Sequence, residues 1–206
     1  MPYALAEMTT ITGTDKRTEL LDAAVRCFVA VGITRTTMED IVREAGAGKA
    51  TLYRYFANKD AVVDALVERE RVRFEARLRG AATAAGDGRA AVQEAFVAGM
   101  QFLRTHPMLT KSLAEEPDRL LPYLTTRSGP IAATGIGVFS DLVTAGVAQG
   151  VLRTDLHVGW AAETLFRLLL SFFTVPPITL ALADETAVRA YASGVIDGLA
   201  APGRRA

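Results

Sequence analysis

The chain has a single cysteine, Cys27, so an internal disulfide is impossible. One thiol fits a reducing compartment and a small apolar role on an amphipathic helix. Histidine is almost as scarce: His106 and His157 lie far apart, and no Cys or His cluster has metal-ligand spacing. With no nucleophile set beside a base, no enzyme and no cofactor are expected. Charge of either sign is also lacking in excess, with 23 Lys and Arg against 23 Asp and Glu; any basic surface must be local. The first residues lack the succession of a secretory leader, so Met1–Thr14 reads as a loose tail and the cytoplasm as the expected location. Long hydrophobic runs are missing. The most apolar stretch, Leu168–Val175, falls far short of the roughly 20 residues of a spanning helix, so no membrane partner is expected.

What is there is a helical pattern punctuated by proline and glycine, without convincing alternating strands, and the fold class it predicts is all-α. Leu20, Leu21, Ala24, Cys27, Phe28 and Val31 recur at helical spacing before Gly32, giving a first helix of about Lys16–Val31. Thr36 or Thr37 can cap a short second helix, about Thr37–Ala45, with Glu39 or Asp40 completing a capping box. Gly46-Ala47-Gly48 breaks the chain before a third helix, Lys49–Phe56, and a fourth runs from Lys59 or Asp60 to about Leu78. Small residues at Gly80–Gly88 mark a change of character. Beyond them, helical segments are expected at about Arg89–Arg104, Met108–Glu115, Gly129–Gln149, Val158–Thr174 and Asp184–Leu199, separated by Pro107, Pro117, Pro122, Gly150 and Pro176-Pro177.

Two short helices joined at glycine, with a helix ahead of them, form a helix-turn-helix at about 37–56. On the third helix Leu52 and Phe56 (i, i+4) point one way while Ala50 and Arg54 lie nearly opposite. Lys49 and Tyr53 fall on one flank, Thr51 and Tyr55 on the other. Anchored through Leu52 and Phe56, such a helix offers Ala50 for close approach to bases and Arg54 for a guanine edge or a phosphate. Lys49, Thr51, Tyr53, Tyr55 and Lys59 have the chemistry of phosphate contacts, and the helix starts at Thr37 and at Lys59-Asp60 present backbone amides to anions. Gly46–Thr51 superficially matches the end of a phosphate-binding loop, but Arg43 and Ala50 occupy positions where that motif needs Gly and Ser or Thr.

Residues from about Asp15 to Leu66 resemble the N-terminal domain of the TetR (tetracycline repressor) family: Gly32, Thr37, Ile41, Ala45-Gly46, and above all Thr51-Leu52-Tyr53 through Tyr55-Phe56 to Lys59. The resemblance implies a homodimer that binds a palindromic double-stranded DNA operator, usually as a repressor, and is released by a small molecule in its second domain. It places a DNA-binding domain at 15–66 and a helical regulatory and dimerisation domain at 67–201. It also implies that Thr37, Lys49, Thr51, Tyr53, Tyr55 and Lys59 contact phosphates, that Ala50 and Arg54 sit nearest the bases, and that Glu39 faces DNA. Gly48 stands where the family more often has serine, which removes a side-chain cap.

The second half carries no ligand signature. A small apolar or amphipathic effector is expected, with Phe96, Met100, Leu103, Met108, Tyr123, Phe139, Trp160 and Phe166 as candidate pocket lining. His106, before Pro107, reads as a helix-end residue. In the family the last two helices usually pair with their counterparts, which makes Ala161, Leu165, Leu168, Leu169, Phe172, Val188, Tyr191, Ala192, Val195 and Ile196 candidates for the dimer interface; intrachain core is the other reading. The competing function is a helical protein-interaction module without DNA binding.

Overall fold

The computed structural model describes residues 3–181 and 184–199, with side chains from Lys16 onward. Every element among them is helical: α1 Tyr3–Val31, α2 Met38–Glu44, α3 Lys49–Tyr55, α4 Lys59–Thr83, α5 Gly88–Thr105, α6 Pro107–Glu115, α7 Pro117–Leu124, α8 Gly129–Ala148, α9 Val158–Thr174 and α10 Glu185–Asp197. The chain forms two compact units, Met1–Glu70 with Pro107–Leu120, and Arg71–His106 with Leu121–Ala206.

In the first unit, α1 contributes Leu20, Leu21, Ala24 and Phe28 to a core closed by Ile41, Leu52, Phe56, Val62, Leu66 and Met108. These are the apolar positions of the helical spacing, now on one face of each helix. Arg69 Nη1 bonds Asp22 Oδ1 at 2.7 Å, tying α4 to α1. Cys27 is half-buried; burial, then the nearby Glu44 and Asp40 carboxylates, push its thiol pKa up and keep it protonated. In the second unit α8 packs on α9 and α5, and α5 also receives α9 and α10. The α8–α9 crossing is close because Gly135 has no side chain: a Cβ there would stand 2.2 Å from Phe166 Cδ2.

Several expectations change. Helix α1 begins at Tyr3, inside the expected loose tail, because Ala4, Leu5, Ala6 and Glu7 are strong helix formers on an already nucleated helix. Pro117 marks the break after α6 but also opens a further helix, α7, at its first position, where a missing N–H costs nothing, and Pro122 lies inside that helix instead of separating elements. Helix α4 continues through Gly80 to Thr83. The unit boundary falls at Glu70/Arg71, within α4, and 107–120 joins the first unit although 67–201 was expected to be one domain. Residues 182, 183, 200 and 201 of that expected domain lie outside the described residues.

The dimer candidates divide. Ala161, Leu165, Leu169, Val188, Ala192 and Ile196 are buried within the single chain. Leu168, Phe172, Tyr191 and Val195 are half-buried, and the Phe172 and Tyr191 rings meet edge-on at 5.1 Å. The pocket candidates are likewise dispersed. Met108 belongs to the first unit's core, Trp160 is 71% exposed and stacks on His157, and Tyr123 is half-buried beneath the Arg127 guanidinium. Phe96, Met100, Leu103, Phe139 and Phe166 are buried in the second unit.

Candidate nucleic-acid interface

The turn from α1 into α2 needs glycine: Gly32 adopts φ +91°. Thr37 then caps α2. Its Oγ1 accepts from the Asp40 amide at 3.1 Å while its own amide donates to Asp40 Oδ2 at 2.9 Å, a complete capping box. Asp40, not Glu39, is the reciprocal residue, and the Thr37 hydroxyl, with the backbone amide, holds the Asp40 carboxyl pKa below its usual range. Gly46, at φ +56°, turns the chain out of α2. As expected from glycine at position 48, α3 starts without a side-chain cap.

Helix α3 is held by Leu52, fully buried, and Phe56, 3% exposed, with the Arg17 guanidinium 5.4 Å from the Phe56 ring. This anchoring turns Lys49, Ala50, Tyr53 and Arg54 to solvent, as the helical spacing predicts, while Thr51 and Tyr55 are half-buried on the flank. Tyr55 packs its ring against the core and lies 5.1 Å beneath the Arg54 guanidinium, so its apolar body is structural.

Two of the cations already have partners. Lys49 Nζ bonds Glu39 Oε1 at 2.7 Å across the α2–α3 turn and lies 5.8 Å from the Tyr53 ring. That hydrogen bond raises the Lys49 pKa and lowers that of Glu39, so both stay charged. The ion pair is exposed, and a phosphate could replace the carboxylate at little cost. Lys59 differs. Its Nζ donates to the carbonyls of Ile33, Thr34 and Thr36 at 2.8, 2.8 and 2.9 Å. All three ammonium protons are engaged, and the side chain braces the turn before α2 instead of reaching outward.

Sequence reasoning missed two residues here. Asn58 Oδ1 accepts from the Ala61 amide at 2.9 Å and caps α4, a role its type and position could have signalled. Glu116 accepts from the Ile33 and Thr34 amides, a contact 82 and 83 positions away that no local pattern announces. His106 ends α5, as expected of it. Among the described residues, no group of three His, Cys, Asp or Glu is placed to hold a metal.

Residues 20–66 match the family model described as bacterial regulatory proteins, tetR family, and residues 87–192 match the model described as bacterial tetracyclin repressor, C-terminal domain. The repressor KstR2 of Rhodococcus jostii is 26% identical over 196 residues, covering 91% of this chain and 92% of that one. The solved ketosteroid transcriptional regulator KstR2 of Mycobacterium tuberculosis is 23% identical, covers 90% and 95% of the two chains and superposes with a TM-score of 0.56. FadR from Bacillus subtilis, solved in complex with stearoyl-CoA, is 19% identical over 89% and 97%, with a TM-score of 0.65. The second family model alone spans half of the sequence, and with the anchored reading helix and the all-helical fold the chain belongs to the TetR family of helix-turn-helix transcriptional regulators.

Proposed function

We propose that the chain is a repressor that binds a palindromic operator as a homodimer in the cytoplasm, catalyses no reaction, and is released by a small apolar or amphipathic effector. One observation carries the DNA-binding reading: Leu52 and Phe56 are buried while Lys49, Ala50, Tyr53 and Arg54 share the opposite, exposed side of α3. Ala50 and Arg54 face the bases; Lys49, Thr51 and Tyr53, with the Tyr55 hydroxyl and the first turn of α2 near Thr37, meet phosphates. Lys59 acts by shaping the turn. Changing Lys49 and Tyr53 together to Ala should weaken binding to a wild-type-selected duplex by on the order of tenfold or more. Unchanged affinity would favour the protein-interaction module instead.

We assign the effector to the second unit, where a groove of about 360 Å³ has Val97 and Ala98 in its lining together with Arg77, Glu94, Glu185 and Arg189. Two guanidinium groups and two carboxylates beside small apolar residues suit a molecule that has both a polar and an apolar part. Thermal shift of the protein against steroids and fatty acyl-CoA thioesters tests this, since a ligand binding only the folded chain raises its melting temperature.

The pairing surface follows from α8. It is long and apolar enough to cross a membrane by length and composition, yet it packs in a helical bundle, with only 28% of its most apolar window buried. Ala133, Thr144, Ala145 and Ala148 remain exposed along it with Asp141, whose carboxylate is paired to Arg79, and a Cβ at Gly137 would meet nothing. Such a face is suited to close packing against the same helix of a second copy.

A further inference from the structure

We infer that Glu116 is a positioning residue through which the α6 segment sets the DNA-reading head, an inference that rests on the repressor reading above. The backbone of 32–36, between α1 and α2, belongs to no helix, so its polar groups need partners from elsewhere. Glu116 supplies one side of them: Oε2 accepts from the Ile33 amide at 2.6 Å and Oε1 from the Thr34 amide at 2.8 Å. Lys59 supplies the other through the carbonyls of Ile33, Thr34 and Thr36. Thr36, almost fully buried, closes the turn by donating its hydroxyl to the Gly32 carbonyl at 2.7 Å. The turn is thus held between a carboxylate and an ammonium, and the next residue is Thr37, the cap of α2.

Glycine at position 32 serves this clamp in two ways. Its φ of +91° is open to few other residues, and a Cβ there would stand 3.0 Å from Glu116 Oε2 and 3.2 Å from its Cδ. Glu116 is itself firmly placed. Its amide bonds the carbonyl of buried Ser112 at 2.9 Å, and α6 inserts Met108 into the first unit's core. Burial alone would push the carboxyl pKa up, but the Thr34 and Ile33 hydrogen bonds and the Arg119 charge outweigh it and keep the group ionised.

What makes the contact more than a brace is connectivity. Pro107–Leu120 is an insert in the first unit, and the chain on either side, ending at His106 and resuming at Leu121, belongs to the second. Any shift of α5 or of the end of α7 is passed along the backbone to Glu116, and withdrawing the carboxylate takes the acceptor from the amide of buried Ile33 and gives the exposed Thr34 amide over to water, just ahead of the α2 cap. The seven-residue α2 starts at the Thr37–Asp40 capping box, and the turn that carries Thr37 is held by this clamp. Coupling of this kind is reciprocal: if the 107–116 segment biases DNA binding, then DNA must stabilise that segment.

Hydrogen exchange on the full-length chain, with and without a duplex selected by the wild-type protein from a random pool, reads this directly. The duplex should slow exchange at Ile33, at Thr34 and across 107–116 by at least about fivefold. In the E116Q variant one acceptor oxygen is replaced by an NH2 group facing a backbone N–H; the slowing across 107–116 should vanish, and duplex affinity should fall by about tenfold with little change in melting temperature. A contact that only braces the fold would show no duplex-dependent slowing across 107–116. A duplex that E116Q binds as tightly as the wild type, with the same exchange, overturns the inference alone. A wild-type chain that selects no duplex overturns the repressor reading and this inference with it. Should E116Q fail to fold, the wild-type exchange decides, and no slowing across 107–116 refutes the coupling.

Discussion

Lys49 and Lys59 carry the same charge ten residues apart, and their surroundings give them different roles. The Lys49 ammonium has one exposed carboxylate to exchange for a phosphate, whereas Lys59 has three backbone carbonyls and none to spare. Replacing Lys49 by Ala should therefore lower the slope of log affinity against log salt by about one phosphate's worth. Lys59→Ala should instead cost on the order of 2 kcal/mol of stability, read by denaturant unfolding, and leave that slope nearly unchanged. Neutralising Glu39 with Gln frees Lys49 and should tighten duplex binding by about two- to fivefold at low salt, an effect that fades as salt rises. Arg54→Ala should relax preference at one base position; a uniform loss over all sequences would assign it to a phosphate. The outward facing of Ala50 and Arg54 was legible because it needs only the i, i+4 spacing of Leu52 and Phe56. The occupation of Lys59 was not, since its acceptors lie 23 to 26 positions back.

At the scale of elements, local chemistry was readable and tertiary placement was not. The limits of α2, α3 and α9 follow from caps and glycine breaks, and α9 is as the spacing predicts, Val158–Thr174. Helix α7 was hidden because proline is equally at home at a helix start and in a separator, and only packing decides between them. The assignment of α6 to the first unit depends on Met108 finding the α1 core, which no periodicity reports. The capping box of α2 allows a test in pH. The Asp40 carboxyl pKa is lowered in the folded chain, so its stabilisation is complete above the ordinary carboxylate range and is lost as pH falls through the depressed value. Asp40→Asn should flatten that part of the acid-unfolding curve. Thr37→Ala, which removes the cap itself, should cost about 1 kcal/mol at neutral pH.

At the scale of the whole molecule, the account requires two copies, because one reading helix spans only half a palindrome. The family resemblance directed attention to the last two helices. Ala161, Leu165, Leu169, Val188, Ala192 and Ile196 are buried inside one chain, and the pairing face proposed above is the uncovered side of α8. Sequence could not separate these cases, since intrachain and interchain helix packing use the same apolar and small residues. A charge at Gly137, as in G137E, should weaken self-association by about a hundredfold, read by sedimentation, because each copy would press a carboxylate against its mate. The central claim, that paired α3 helices read a two-fold operator, is tested most directly by selecting duplexes from a random pool with the purified protein and footprinting the winners. The account predicts an inverted repeat with half-sites about 34–36 Å apart or a multiple of that spacing, protected symmetrically and lost when Lys49 and Tyr53 are both Ala. Enrichment of no sequence, or of one without two-fold symmetry, would contradict it.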